Sequence, residues 1–420
     1  MADNILVRAA NGVMGWVNDR APALMPMYRK HMSEYYAPKN FNIWYIFGVL
    51  SMVVLVNQIV TGIFLTMHYK TSAAEAFASV EYIMRDVEWG WLIRYMHSTG
   101  ASLFFIVVYL HMFRGLMYGS YKKPRELVWI LGMLIYLVLM AEAFMGYVLP
   151  WGQMSFWGAK VIISLFGAIP VIGNGLTEWI MGDYLPSDAT LNRFFALHVI
   201  AVPLVLLLLV VLHLGALHEV GSNNPDGVEI KKGPKGNRWS PTAPADGVPF
   251  HPYYTVKDTF YVFAMMVIAA FIIFFAPAFG GWFLEHDNFT EANRLVTPAH
   301  IKPVWYYTPY YAMLRVVPHK LSGVLVMFGA IAILFLVPWL DRAKVKSYRY
   351  RGVLSKLLLG VFAICFVWLG KIGAGPGTDP VETIVGRFLT AFYFLFFLTM
   401  PIWTKIDKTK PVPERVTTHD

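Results

Sequence analysis

Four histidines stand inside apolar segments of this 420-residue chain at intervals that nearly repeat. His97 and His111 are 14 residues apart in RYMHSTGASLFFIVVYLHMFR, residues 94–114. His198 and His213 are 15 apart in RFFALHVIAVPLVLLLLVVLHLGALHE, residues 193–219. A helix turns about 100° and rises about 1.5 Å per residue, so the first pair lies about 40° apart in azimuth and roughly 21 Å apart along the axis. The second pair lies about 60° and roughly 22 Å apart. Each pair therefore shares a face, and two such helices side by side bring one histidine of each together at two depths. A lone membrane histidine is as readily a hydrogen-bonded packing residue. Ionisable groups at this depth are costly and usually functional, and four in two matched pairs point to a flat cofactor ligated from facing helices. The reading is haem, with His97, His198, His111 and His213 as axial iron ligands. Two imidazoles per iron leave no open position, so such a haem passes electrons and does not bind oxygen. Two of them form an electron path through the apolar layer.

Glycine and arginine positions agree with this reading. Gly48 and Gly62, and Gly132 and Gly146, are again 14 residues apart on two further apolar segments. Glycine lets a backbone approach closely, here against the porphyrin, although ordinary small-residue packing explains any one of them. Arg94 and Arg114 each stand three residues outside a histidine, one turn outward on roughly the same face. They suit haem propionates, as does Arg193 near His198; the competing role is snorkelling to phospholipid headgroups.

The elements that must position these residues are membrane spans. The chain is 57% hydrophobic and 15% charged, well below the roughly 25% charged residues of soluble domains. Apolar stretches predict eight transmembrane helices at approximately 42–66, 91–117, 127–149, 191–217, 258–283, 320–340, 354–370 and 382–404. The fold class is thus an all-α polytopic membrane protein, with an N-terminal four-helix bundle for two b haems and a C-terminal four-helix unit. The boundaries are a segment 1–41 with a surface helix, a dihaem bundle 42–220, a loop 221–257, a second unit 258–404 and a tail 405–420. Segments flanking the spans on the side of the termini carry 22 Lys and Arg against 7 on the other side. This asymmetry predicts cytoplasmic termini and explains the net charge of +9 without nucleic acid. The long opposite-side loops 150–190 and 285–319 read as carrying short interfacial helices, whereas 221–252 reads as a polar surface loop. The single cysteine, Cys365, lies inside a span. That excludes a disulfide framework, a cysteine-ligated iron–sulfur cluster, a thiol zinc site and a CxxCH haem attachment. The start, MADNILVRAANG, lacks a signal-peptide core.

RYMHSTGAS, GYVLPWGQMSFWGA, LHEVGSNNP, FHPYYTVKD and PVWYYTPYYAMLR together make the chain resemble cytochrome b of the respiratory bc1 complex, across nearly all eight predicted helices. The resemblance implies a low-potential haem (bL) on His97 and His198 toward the periplasm and a high-potential haem (bH) on His111 and His213 toward the cytoplasm. Trp44, Ser120 and Asn223 match positions around the latter. It implies a quinol-oxidising Qo site from Phe144, Tyr147, Gly158, Pro303, Trp305, Tyr306 and Tyr311. A quinone-reducing Qi site would use His218, Ser222, Lys257 and Asp258. His218 and Asp258 are chemically apt proton donors at helix ends facing water, although a solvated helix terminus would look the same. The implied activity is a proton-motive Q cycle as the quinol–cytochrome c reductase subunit, with ubiquinol and ubiquinone as substrates. The implied partners are a Rieske iron–sulfur protein, cytochrome c1 and a second copy of the complex, in a bacterial inner membrane. With one cysteine here, the iron–sulfur and c-type centres must lie on other chains. Rivals are a dihaem anchor of another respiratory dehydrogenase, usually shorter and without the PVWY loop, and a transporter using histidines as a proton relay.

Two departures from the family pattern stand out. The motif usually reads Pro-Glu-Trp-Tyr, and here Val304 replaces the carboxylate that takes a hydrogen bond or proton from quinol. Glu142, inside the third span, is the expected substitute, since an isolated intramembrane carboxylate needs a partner or a task; a hydrogen-bonded packing role is the alternative. The second departure is the interval of 15 on the fourth helix, shared with the b6 branch. It rotates His213 by about 100° unless a local bulge near Pro203 absorbs the extra residue. The b6 branch also splits the chain after the fourth helix and carries a haem-attaching cysteine. This chain is continuous and lacks that cysteine, which favours the bc1 type.

Overall fold

The computed structural model describes residues 5–417; the ends of the N-terminal segment and C-terminal tail, 1–4 and 418–420, lie outside the described residues. Among the described residues, seven helices are long and apolar enough to cross a membrane: α1 (Ile43–Thr66), α2 (Gly90–Tyr118), α3 (Glu126–Val148), α4 (Asp188–Val220), α5 (Phe250–Phe275), α7 (Val353–Ala374) and α8 (Pro380–Leu398). Between α5 and α7 runs a shorter apolar helix, α6 (Lys320–Phe335). The architecture is all-α, with a single two-stranded ribbon among the described residues. Only 6% of the apolar stretch of α4 is buried inside the protein, so its many exposed leucines and valines suit lipid.

Two breaks differ from the sequence expectation, both for backbone reasons. The span expected at 320–340 divides after Phe335: the Leu336 amide bonds back only three residues, to Ile333, and Pro338 has no amide to continue the ladder. The 16-residue α6 reaches about 24 Å, short of the roughly 30 Å apolar layer. The fifth span ends at Phe275, not 283, because Ala276 precedes Pro277 and has left the helical region.

α1 packs chiefly along α2, and α3 along α4. α7 lies against the loop helix Thr308–Arg315 and against α8. The loops at the His97/His198 end carry the expected short helices, Gln153–Ser164, Gly173–Met181 and Thr308–Arg315. Side chains clamp these two loops together. Gln153 donates to the Val296 carbonyl (3.1 Å) and accepts from the Asn293 amide (2.8 Å), while the Ser155 amide donates to Asn288 Oδ1 (2.8 Å).

At the opposite end, β1 (Tyr36–Pro38) pairs antiparallel with β2 (Gly247–Pro249), tying the N-terminal segment to the loop after α4. That loop was expected to be a polar surface segment, yet Asn223, Asn224, Asp226 and Asp246 are buried. Each buried carboxylate there has a partner, as burial requires. Asp226 accepts from Arg349 Nη1 (2.8 Å), Tyr350 (2.7 Å) and Asn40 (3.0 Å), and Asp246 accepts from Arg415 Nη2 (2.8 Å). Arg125 reaches Glu229 with both terminal nitrogens (2.6 and 3.0 Å) and the Gly221 carbonyl with Nε (2.8 Å).

Asp341, after α6, is likewise buried. Tyr121 and Arg351 donate to its Oδ2 (2.5 Å each), and Lys122 lies 3.1 Å from Oδ1. Burial alone would raise its carboxyl pKa, but Arg351 and Lys122 outweigh burial and hold it below the usual carboxylate range. Removing one partner of a buried pair strands the other charge at a cost of about 3–5 kcal/mol. Asp341→Ala should therefore lower the thermal unfolding midpoint of the detergent-solubilised protein markedly, by more than any exposed Asp→Ala control. Because the folded pKa is depressed, the native protein should also lose this stabilisation as pH falls through the acidic carboxylate range, and the variant should not.

Candidate haem and quinone sites

The four histidines meet in two pairs between α2 and α4. The His97 and His198 ring centroids are 6.3 Å apart, and those of His111 and His213 are 6.4 Å apart. A metal–imidazole bond is about 2 Å and a ring nitrogen lies about 1.2 Å from its centroid, so two imidazoles in line on one metal have centroids about 6 Å apart. Both pairs have that separation. Among the described residues no group of three or more His, Cys, Asp or Glu is placed to hold a bare metal ion. Paired imidazoles alone suit a metal that brings its own macrocycle.

Behind each histidine is one of the four glycines. A Cβ built at Gly62 would lie 3.3 Å from His97 Cε1, one at Gly48 3.3 Å from His111 Cε1, and one at Gly132 3.3 Å from His213 Cε1. At Gly146 it would lie 2.4 Å from His198 Cε1. The glycines on α1 and α3 thus leave room beside the imidazole rings of α2 and α4. Two rings are also oriented through Nδ1, which leaves Nε2 for a metal. His97 Nδ1 is 2.9 Å from Thr61 Oγ1, and His198 Nδ1 is 3.0 Å from the Glu142 carbonyl.

The interval of 15 is reconciled by a π-turn. Leu197–Ala201 form a π-helical segment containing His198, with the Val202 amide bonded to the Leu197 carbonyl five residues back. Pro203 supplies no amide to Val199, which frees the ladder at this point. The turn takes up one residue, and His213 meets Gly132 at the same distance as His111 meets Gly48.

The arginines divide. Arg114 stays beside its histidine, with Nη2 3.1 Å from His111 Nδ1, Nη1 3.5 Å from Ser120 and its guanidinium 4.9 Å over the Tyr45 ring; its buried Nε has no partner. Arg94 lines a cavity of about 240 Å³ at the His97 end. Arg193 is exposed and donates to the Trp179 carbonyl, away from His198. Trp44 stands near Phe47 and Phe113, and buried Asn223 donates to the Tyr118 carbonyl (2.8 Å) and Ser120 (3.3 Å).

At the His97/His198 end, α3 and the two clamped loops enclose the expected quinol residues. Tyr306 is buried and stacks on Phe105 with centroids 3.8 Å apart. Trp305, next to Pro303 and Val304, donates to Ser102 (3.1 Å). Tyr311 donates to the Ile301 carbonyl (3.5 Å), and Phe144 packs edge-on against Phe194. A Cβ at Gly158 would meet nothing within 4 Å, so open space lies beside that buried backbone. Glu142 takes a different place from the one expected. Its Oε1 is 2.9 Å from His198 Nδ1, and its buried Oε2 has no partner. The carboxyl that reaches Tyr147 is instead Glu285, which accepts the Tyr147 hydroxyl. The sequence reading missed it because nothing local marks a loop glutamate as buried.

At the other end, the His218 ring stacks with Tyr35 (4.5 Å) and with His31 (4.8 Å), whose Nδ1 is 2.5 Å from His218 Nδ1, and Ser222 Oγ is 3.2 Å from Tyr35 Oη. Lys257 donates to the Phe41 carbonyl (3.0 Å), with half-buried Asp258 beside it. The structure joins His218 and Ser222 through Tyr35, and among the described residues no hydrogen bond or ion pair joins Asp258 to His218. His31 and Tyr35 lie nearly 190 residues before their partners, brought over by the β1–β2 pairing, with no local signal.

This arrangement, two imidazole pairs between four helices with a polar cluster beyond each, is that of a haem-binding electron-transfer membrane protein. Residues 32–221 match the family model described as cytochrome b/b6/petB, and residues 291–394 match that described as cytochrome b(C-terminal)/b6/petD. The chain is 60% identical over 408 residues to cytochrome b of Allochromatium vinosum, covering 96% of this chain and 98% of that one. It is 47% identical over 408 residues to a protein of Bradyrhizobium diazoefficiens named cytochrome b/c1, covering 97% of this chain and 57% of the other. A solved chain of a hyperthermophilic respiratory Complex III superposes with a TM-score of 0.85 at 39% identity, covering 93% and 98%. The chain belongs to the cytochrome b family.

The Gly146 contact yields a direct test. Gly146→Ala forces the His198 ring to move, whereas a Cβ at Gly48, Gly62 or Gly132 asks only for a few tenths of an ångström. Gly146→Ala should lose one of two b-type components in a redox-resolved visible spectrum and keep the other.

Proposed function

We propose that this chain is the quinone-handling subunit of a quinol–cytochrome c reductase, oxidising quinol at the His97/His198 end and reducing quinone at the His111/His213 end. The observation that carries this reading is the pair of bis-imidazole sites at two depths, with a separate polar site beyond each. His97 and His198 would hold one haem (bL) and His111 and His213 another (bH), and these would supply the one-electron carriers for the transmembrane leg of a Q cycle. The chain's own residues do the rest. Residues 42–220 form the electron-carrying unit, and the 285–319 loop of the second unit covers the quinol end. Gly158 leaves room for a flat ring, and Tyr147, Tyr306 and Tyr311 offer hydroxyls to it. Tyr35 and His31 both contact the His218 ring and hold it, so that with Ser222, Lys257 and Asp258 it presents polar hydrogens to a quinone being reduced. Glu142 serves to orient His198.

The charge asymmetry supports cytoplasmic termini, hence proton release to the periplasm and uptake from the cytoplasm of a bacterial inner membrane. An iron–sulfur protein and a cytochrome c1 are required as partners, because a single buried cysteine cannot ligate their centres. The Complex III likeness and the relative named cytochrome b/c1 support that assembly, and the family resemblance implies a dimeric complex. A dihaem dehydrogenase anchor is less well supported, since the family matches extend over both units of the chain.

The purified complex should transfer electrons from ubiquinol to cytochrome c. His218→Leu should lower the steady-state rate about tenfold or more, the scale of a lost acid–base group. The first reduction of the b-type absorption by quinol from the other end should persist. A complex that shows two b-type components yet no quinol-driven cytochrome c reduction contradicts the proposal.

A further inference from the structure

The buried carboxylates of the protein are not alike. Asp226, Asp246 and Asp341 are each paired with an arginine. Glu285 is only 6% exposed, yet among the described residues the one hydrogen bond of its side chain is to a neutral group, the Tyr147 hydroxyl. A carboxylate locked by arginine stays ionised, whereas one facing a neutral hydroxyl is free to take up a proton. Its surroundings are also two-sided. Inward, Tyr147 places it at the quinol end, within electrostatic reach of the buried Tyr306. Outward, Glu285 lines the cavity of about 240 Å³ together with Arg94 of α2 and with Glu81 and Arg85 of the helix Ala76–Arg85. The Arg85 side chain is 75% exposed, so this cavity reaches water.

We propose that Glu285 is the proton acceptor for quinol oxidation, relaying one proton from Tyr147 to the Arg94 cavity; this rests on the quinol-oxidising reading given above. The quinol hydroxyl passes its proton to the Tyr147 oxygen as the Tyr147 hydrogen moves to the Glu285 carboxylate. Tyrosine stays neutral and the carboxylate becomes a carboxylic acid. The electrons leave the quinol singly, to the iron–sulfur partner and to the b-type centre of the proposed reaction. Glu285 then gives its proton to cavity water and returns to the ionised form. One of the two quinol protons takes this route.

The electrostatics suit the role. Burial raises the Glu285 pKa above the usual carboxylate range, opposed by the Tyr147 hydrogen bond and the Lys302 charge and reinforced by Asp287. On the cavity side it faces Arg94, Glu81 and Arg85. An acceptor must be ionised to act, so the wild-type rate should rise with pH through the Glu285 titration.

The test uses the purified complex with ubiquinol and cytochrome c across the pH range, on wild type, Glu285→Gln and Glu285→Asp. Glu285→Gln should lower the rate about tenfold or more and abolish the rise with pH, while Glu285→Asp keeps most of the rate with the rise displaced. The b-type spectrum, and b-type reduction by quinol from the His218 end, should be unchanged in both variants, which separates lost proton transfer from lost assembly. An infrared redox-difference spectrum gives a reading independent of turnover. A carboxylic acid carbonyl band should appear in wild type, shift in Glu285→Asp and vanish in Glu285→Gln. An unchanged rate and pH profile in Glu285→Gln overturns the proposal. Should that variant fail to assemble, a band unmoved in Glu285→Asp overturns it. A wild-type complex that does not oxidise quinol overturns the parent reading instead.

Discussion

Everything in this molecule is arranged around two imidazoles reaching toward one point, twice, at two depths of an apolar layer. A ring at that depth needs a partner for each nitrogen. The Thr61 hydroxyl and the Glu142 carbonyl take up Nδ1 of His97 and His198 and so direct Nε2 toward the metal position. The rings also need space, and the glycines at 48, 62, 132 and 146 give it. These requirements fix α1 against α2 and α3 against α4, set the helix register and leave little freedom to the remaining bundle. The second unit then adds what a dihaem bundle lacks, a loop that closes over one end.

The two ends solve the charge problem differently. Beyond His111 and His213, buried acids are neutralised by arginines in a fixed lattice that ties the loop after α4 to the loops between α2 and α3 and between α6 and α7. Paired in this way, the charges rigidify that end without titrating near neutrality. Beyond His97 and His198, Glu285 is matched with a tyrosine instead. If quinol is oxidised there as proposed, a carboxyl without a hydrogen-bonded arginine suits that end, since such an arginine would hold the proton off.

The chemistry was legible in the sequence to the extent that it follows from periodicity. The histidine interval of 14, the matching glycine interval and the apolar runs are one-dimensional consequences of the helix repeat. Even the irregular interval of 15 announced a bulge near Pro203, which the π-turn at Leu197–Ala201 supplies. What was not legible comes from contacts between distant segments. The stacking of His31 and Tyr35 on His218 depends on a ribbon between residues 36–38 and 247–249. The burial of Asp226 depends on partners at positions 40, 349 and 350. Glu142 was singled out as a lone carboxylate in an apolar run, but it meets His198, and Tyr147, five residues on, points about 140° away around the helix. Glu285, in a polar loop, carries no sequence mark of burial. Span ends failed where a proline cut a hydrophobic run, at Pro277 and Pro338, because hydropathy does not register a missing amide.

The central claim, that α2 and α4 hold two haems each through two imidazoles, is tested most directly by counting haem per chain and resolving its potentials. A pyridine haemochrome assay on the purified protein, followed by a potentiometric titration of the b-type band, should give two non-covalent b haems per chain that titrate as separate components. One haem per chain, or none, would contradict the account.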